Sequence, residues 1–156
     1  MKAAWFEKFG SAEQVMQVGE QPKPLAEPGQ VLVKLATSGV NPSDVKKRAG
    51  ASASLLDDGL VIPHSDGAGV IESVGRGVPE DRVGQRVWVY QAQYGRRLGT
   101  AAEYVVLDSN RAVHLPDNTD FSVGACLGIP VMTAHRCVYS DGDISGQVVL
   151  VTGGAG

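Results

Sequence analysis

The chain has 156 residues, 43% of them hydrophobic and 20% charged, with a formal charge of −3. That length suits roughly one domain of about 100–200 residues, and the apolar fraction supplies a core, which argues against disorder. The acidic balance leaves no basic footprint for an obligate nucleic-acid partner, and no apolar run approaches the ~20 residues of a membrane span.

The N-terminus carries Lys2, Glu7 and Lys8 and has no signal-peptide core, which reads as a cytoplasmic protein. Short alternating segments follow. Residues 1–6 and 15–19 are weak strand candidates, and Pro22, Pro24 and Pro28 mark an irregular connection. Residues 31–35 predict a strand with one wet face. Residues 69–75, 86–90 and 102–107 predict three more, and 112–115 a weaker one. Gly84-Gln85 marks a tight turn. Many short strands with Gly and Pro turns suggest a sandwich or barrel.

The pattern changes near residue 119, which places a domain boundary at 117–124, with 1–120 as the first unit and 121–156 as the second. Residues 119–122 cap a short helix through Ala125 and Cys126, and Gly128 interrupts it. Pro130 suits the first turn of a second helix with Val131, Ala134, Cys137 and Val138 on its apolar face. Asp141-Gly142-Asp143 ends that helix. The two cysteines, Cys126 and Cys137, make no disulfide framework. On one continuous helix they would sit about 16 Å apart, too far to bridge, so both read as buried thiols.

The last residues, Val148-Val149-Leu150-Val151-Thr152-Gly153-Gly154-Ala155-Gly156, run an aliphatic segment into glycines. A buried parallel strand feeding a Gly-rich turn opens a dinucleotide-binding βαβ unit, with the glycines near the pyrophosphate. Either the chain is a piece of a longer protein, or these glycines are a flexible end.

These residues carry a family resemblance. Gly39-Val40-Asn41-Pro42-Ser43-Asp44, Pro63-His64-Ser65-Asp66-Gly67-Ala68-Gly69, Gly84-Gln85-Arg86-Val87, Gly99-Thr100-Ala101-Ala102-Glu103-Tyr104 and Gly128-Ile129-Pro130-Val131-Met132-Thr133-Ala134 stand in order along the chain. Together they resemble the N-terminal half of a zinc-free medium-chain dehydrogenase/reductase of the zeta-crystallin-type NADPH:quinone oxidoreductases. The resemblance implies a mixed β and α/β fold. A GroES-like β-barrel domain is followed by the first helices and first strand of a truncated Rossmann domain, with roughly half the family's length missing. It also implies an NADPH cofactor, a quinone or conjugated carbonyl as small-molecule substrate, and a homodimer formed through the missing domain.

Zinc-dependent relatives need Cys or His ligands held tetrahedrally. Where they carry the first Cys this chain has Asn41, and where they carry the His of a Gly-His-Glu motif it has Ser65. The structural-zinc lobe between Val89 and Gly99 holds no cysteine cluster. A rearranged site from His64, Asp66 and Cys126 is the metal alternative; otherwise His64 is a loop histidine.

Without a metal, hydride transfer rests on positioning and fixed dipoles. The resemblance implies that Asn41 and Thr133 face the nicotinamide. The competing readings are that Asn41-Pro42 only initiates a turn, and that Thr133 only bonds back to its helix. Ser65 and Asp66 either shape the pocket or form an Asx or Ser/Thr turn before Gly67. Lys46 stands where the family usually carries an aromatic hydroxyl. With Lys47 and Arg48 it either steadies an oxyanion or is a solvated turn. Tyr94, beside Arg96 and Arg97, either stacks on a planar substrate or is exposed. His135 is a conceivable proton donor, or a packed helix residue. Gly153, Gly154 and Gly156 are the cofactor-phosphate candidates.

The function that follows is zinc-independent, NADPH-dependent reduction of quinones. The alternatives are an enal or enone C=C reductase on the same fold, a non-catalytic NADPH-binding structural protein, and a fragment inactive alone.

Overall fold

The computed structural model describes residues 1–153. Strand β1 (Lys2–Trp5) pairs antiparallel with β2 (Gln17–Glu20), the short helix α1 (Ala12–Val15) lying between them. The main sheet is antiparallel throughout. It contains β3 (Gln30–Gly39), β4 (Asp66–Val74), β5 (Arg86–Val89), β6 (Tyr104–Asp108) and β7 (Ala112–His114), in the order β6-β3-β4-β5-β7. Helix α2 (Pro42–Arg48) lies between β3 and β4 in the chain. Single bridges from Ala3 to Ala102 and from Phe6 to Val61 tie the first hairpin to this body.

Each segment expected to be a strand before residue 119 is one. The expected wet face of β3 is the part that differs. Val31, Leu32 and Val33 are all buried, and Lys34 is the first fully exposed residue. Register shifts at Leu32/Val33 and Leu35/Thr37 explain the broken alternation. A bulge inserts a residue, bends the strand and raises its twist, so the sheet curls into a half-barrel. The core inside that curl is built from Val31, Val33, Ile71, Val87, Val89 and Leu107. A second, smaller cluster of Phe6, Val15 and Val61 sits under Phe9 and Leu55.

Gly69 lets β3 and β4 approach. A Cβ there would stand 2.0 Å from the Lys34 carbonyl oxygen and 2.9 Å from Leu35 Cα. Both are backbone atoms of the neighbouring strand, so no side-chain rotation relieves the clash.

The helical part starts as its sequence predicts. Helix α3 (Phe121–Gly124) is capped by Asp120, whose side chain accepts the Ser122 N–H at 2.7 Å. Arg86 on β5 holds α3 to the sheet. Its guanidinium lies 4.1 Å over the Phe121 ring and donates to the Thr119 carbonyl. A kinked turn (Leu127–Val131) follows, with Gly128 off helical geometry at ψ −114, and then α4 (Met132–Tyr139).

The expectations further along are corrected. Val131, Ala134 and Cys137 are exposed rather than packed, and so is Cys126, whose thiol donates to the Ser122 carbonyl at 3.4 Å. The apolar face of α4 has no second layer over it among the described residues. Residues 148–152, expected as a strand, make no sheet pairing, and Val148 and Leu150 are exposed. A buried parallel strand needs neighbours on both edges, and none lies beside this segment among the described residues. Gly153 sits at φ +67, as a turn glycine does, while Gly154 and Gly156 lie outside the described residues.

Gly69→Ala is expected to destabilise the protein by about 3 kcal/mol, the upper range for overpacking against a rigid neighbour. Urea unfolding checks this. An unchanged midpoint would mean that β3 and β4 lie far enough apart to admit a methyl group.

Candidate functional site

One buried carboxylate organises the polar centre of the molecule. Asp66 opens β4 and is fully buried. Its Oδ2 accepts two hydrogen bonds, from Asn41 Nδ2 at 2.8 Å and from the Ile129 backbone N–H at 2.9 Å. Its Oδ1 is buried without a partner. Gly128 is pressed against that oxygen, and a Cβ there would lie 2.2 Å from it. The carboxylate thus joins three stretches of chain: the head of α2, the start of β4 and the kinked turn before α4.

Asn41 is held from two directions. It caps α2, with Pro42 at the first helical position, where a missing N–H costs nothing. Its backbone N–H donates to Asp44 Oδ2 at 2.7 Å, and its carbonyl accepts the Asp44 N–H at 2.9 Å. Its amide has two hydrogens, and Asp66 takes one. The side chain is 4% exposed, so its rotamer is fixed by this lattice of bonds. Asn41 therefore does more than initiate a turn.

A second chain of hydrogen bonds runs behind Asp66. Thr100 Oγ1 donates to the Asp66 carbonyl at 2.6 Å, Ser38 Oγ lies 2.9 Å from Thr100 Oγ1, and His64 Nδ1 lies 2.9 Å from Ser38 Oγ. Thr100 spends its one proton on the carbonyl, so Ser38 donates to Thr100 and His64 donates from Nδ1. Burial lowers the His64 pKa, with the Asp44 charge opposing it. The neutral Nδ1–H tautomer satisfies both observations. His64 pays for this place with φ +75, a region that β-carbon-bearing residues seldom occupy.

The three residues of the rearranged metal site are not assembled around a common point among the described residues. Asp66 Oδ2 and His64 Nδ1 are hydrogen-bonded within the fold, and Cys126 is exposed. Among the described residues no group of three or more His, Cys, Asp or Glu is placed to hold a metal ion. Asp66 does not form the local turn either, since its side chain reaches across the fold.

The other expected site residues fall in different places. Thr133, in the first turn of α4, is exposed and lines a cavity of about 270 Å³ with Tyr90, Gln91 and Ile129. Ile129 borders this cavity and donates to Asp66, so Asn41 and Thr133 flank the same turn. Ser65 is buried, and its carbonyl accepts the Ala92 N–H at 2.9 Å. Tyr94 is exposed and shares a cavity of about 340 Å³ with Lys47, Leu55 and Arg96. Lys46 is exposed and does not line that cavity. Its neighbour Lys47 does, and donates to Gln93 Oε1 at 3.0 Å. His135 is exposed, its ring 4.9 Å from that of Tyr139. Gln93 and the Ile129 N–H were not singled out by sequence, whereas Lys47 was read as part of the basic patch with Lys46 and Arg48. The signal for Asp66 was an acidic residue opening a strand of small residues, where a bare charge has no reason to be.

The alcohol dehydrogenase GroES-like domain profile matches residues 27–117, more than half of the chain. The chain belongs to that family. This GroES-like chain is 35% identical over 157 residues to the quinone oxidoreductase of Rattus norvegicus, covering 100% of the chain and 46% of the relative. It is 27% identical over 160 residues to the chloroplastic NADPH-dependent alkenal/one oxidoreductase of Arabidopsis thaliana, covering 100% of the chain and 42% of the relative. A mycobacterial protein solved in complex with NADPH superposes with a TM-score of 0.77 at 27% identity, over 90% of this chain and 42% of its own. The chain therefore spans about half the length of the curated relatives it matches.

Burial raises the Asp66 pKa above its ordinary 3.8, and the bonds from Asn41 and Ile129 pull the other way. The folded chain then binds this proton more tightly than the unfolded chain, so stability is lost as pH rises through the raised value. Asp66→Asn keeps an oxygen for both donors and removes the charge. Its stability relative to the parent is expected to improve as pH rises from the ordinary carboxylate value through the raised one. Urea unfolding at a series of pH values tests this, and a constant difference would show that Asp66 carries no such shift.

Proposed function

We propose that the complete protein is a zinc-independent, NADPH-dependent reductase of quinones. The observation that carries the reading is the Asp66–Asn41–Ile129 junction. It fixes an amide beside a turn that, with Thr133, borders a cavity of about 270 Å³. NADPH bound there supplies a hydride. A quinone would take up that hydride with one proton and become the hydroquinone.

The residues present fit such a cofactor. The second Asn41 amide hydrogen is a donor for a carboxamide oxygen or for charge growing on an acceptor oxygen. The Thr133 hydroxyl both donates and accepts. A quinone spreads its developing negative charge over the ring, so fixed dipoles meet much of the demand that a metal meets elsewhere. Ser65 and Tyr94 belong to the substrate side in this reading, and Lys46 to its outer rim. Gly153, Gly154 and Gly156 begin the phosphate-binding turn of a nucleotide-binding domain that starts near residue 121. Dimerisation through that domain and a cytoplasmic location complete the proposal. Among the described residues no helix is long and apolar enough to cross a membrane.

A second reading, reduction of the C=C bond of enals or enones, is favoured by the similarity to the alkenal/one oxidoreductase.

NADPH oxidation by 9,10-phenanthrenequinone, with and without EDTA, tests the assignment on the complete protein. EDTA-insensitive turnover is expected. Asn41→Ala and Thr133→Ala are each expected to lower kcat/KM about tenfold, the worth of one hydrogen bond to bound cofactor or acceptor. NADPH binding without oxidation by any quinone or enone would leave a binding protein instead. Stoichiometric zinc after dialysis would overturn the metal-free chemistry.

A further inference from the structure

Three cations meet around the Tyr94 cavity. Lys47, Arg96 and Arg97 line it against one carboxylate, Asp58. None of the three forms an ion pair within 4.0 Å among the described residues, where the ion pairs are Met1–Glu20, Lys23–Glu72, Arg86–Asp117 and Arg111–Asp108.

Two of these cations are anchored. Lys47 Nζ donates to Gln93 Oε1, and Gln93 is itself 97% buried, its amide 3.4 Å from the Ile62 carbonyl. Arg97 Nη1 donates to the Leu60 carbonyl at 2.7 Å. Arg96 is half-buried, and burial lowers its pKa, which means that its charge is held against a desolvation cost. Carbonyls and an amide partner these groups, and none of them neutralises a charge. A partly desolvated cation with no directly paired carboxylate gains from an anion brought to it, even with Asp108 acting on Arg96 from further off.

Gln91 lines the Thr133 cavity while Gln93 and Tyr94 line this one, and the Tyr94 N–H donates to the Gln91 carbonyl at 3.0 Å, so one turn of chain borders both. Asn41 heads the helix whose last turn carries Lys47, about 9 Å further along. The Ser65–Ala92 backbone bond sets the residues before Gln93 beside Asp66. That separation matches a fused aromatic ring system, and Tyr94 offers such a ring a wall.

We propose that the acceptor carries an acidic group, and that Lys47, Arg96 and Arg97 hold it while the reducible carbonyl reaches Asn41. This rests on the reductase reading above and adds its substrate class: an anionic aromatic quinone.

The experiment compares kcat/KM for 9,10-phenanthrenequinone and its 2-sulfonate on the complete protein. A preference for the sulfonate of about tenfold is expected, falling toward unity as salt shortens the Debye length to ~3 Å at 1 M. Arg96→Gln and Lys47→Met are each expected to bring the ratio near unity, while Lys34→Met, on an exposed strand position, keeps it. Equal values in the parent, or a preference that persists in both variants, would overturn the proposal. A raised KM for NADPH in Arg96→Gln would also overturn it, assigning the cations to the cofactor. If neither quinone turns over, the reductase reading fails separately. Titration with naphthalene-2-sulfonate then decides the site: binding weakened about tenfold by Arg96→Gln supports it, and no binding overturns it.

Discussion

A single carboxylate oxygen holds the polar centre of this molecule together. Asp66 Oδ2 receives an amide from the head of α2 and a backbone N–H from the turn before α4. Both donors come from segments distant in sequence. The arrangement is costly, because a charge is buried with no cation beside it and its other oxygen is orphaned. A chain that needed only a stable turn would place an apolar residue there. The cost is understandable if the orientation of Asn41 and the seat of the kinked turn matter for what the protein does.

The barrel half of the fold was legible because strands announce themselves locally. Alternation at 86–90 and 102–107 requires no knowledge of the partner strand, and Asp120 caps α3 from inside its own turn. Where the sequence misled, a non-local effect was responsible. The bulges in β3 destroy the alternation that 31–35 displays, and they arise from pairing with β4. Cys126, Cys137 and Val131 look like core residues by type, yet type records only what a residue prefers, and here no layer covers them.

The candidate site was legible in part for the same reason. Asn41 and Thr133 were proposed through resemblance, and the polar junction between them was not. Asp66 was visible only as a turn former or a metal ligand, because its partners lie far along the chain. Lys46 and Lys47 are neighbours of equal charge, and only the helical phase of α2 decides which one borders the cavity. Adjacent positions on a helix point about 100° apart, so one lysine faces Gln93 and the other faces water. Charge type was readable; direction was not.

The contact between Gly128 and Asp66 has an evolutionary side. Glycine at 128 is required by an oxygen at 66, and an acid reaching to 129 is possible only because 128 has no side chain. Neither position is free to drift alone. A lineage that enlarged residue 128 would have to shorten residue 66 in step, losing its hold on Asn41 as it did so. The two sites should therefore behave as a single inherited character, changing together or staying fixed together.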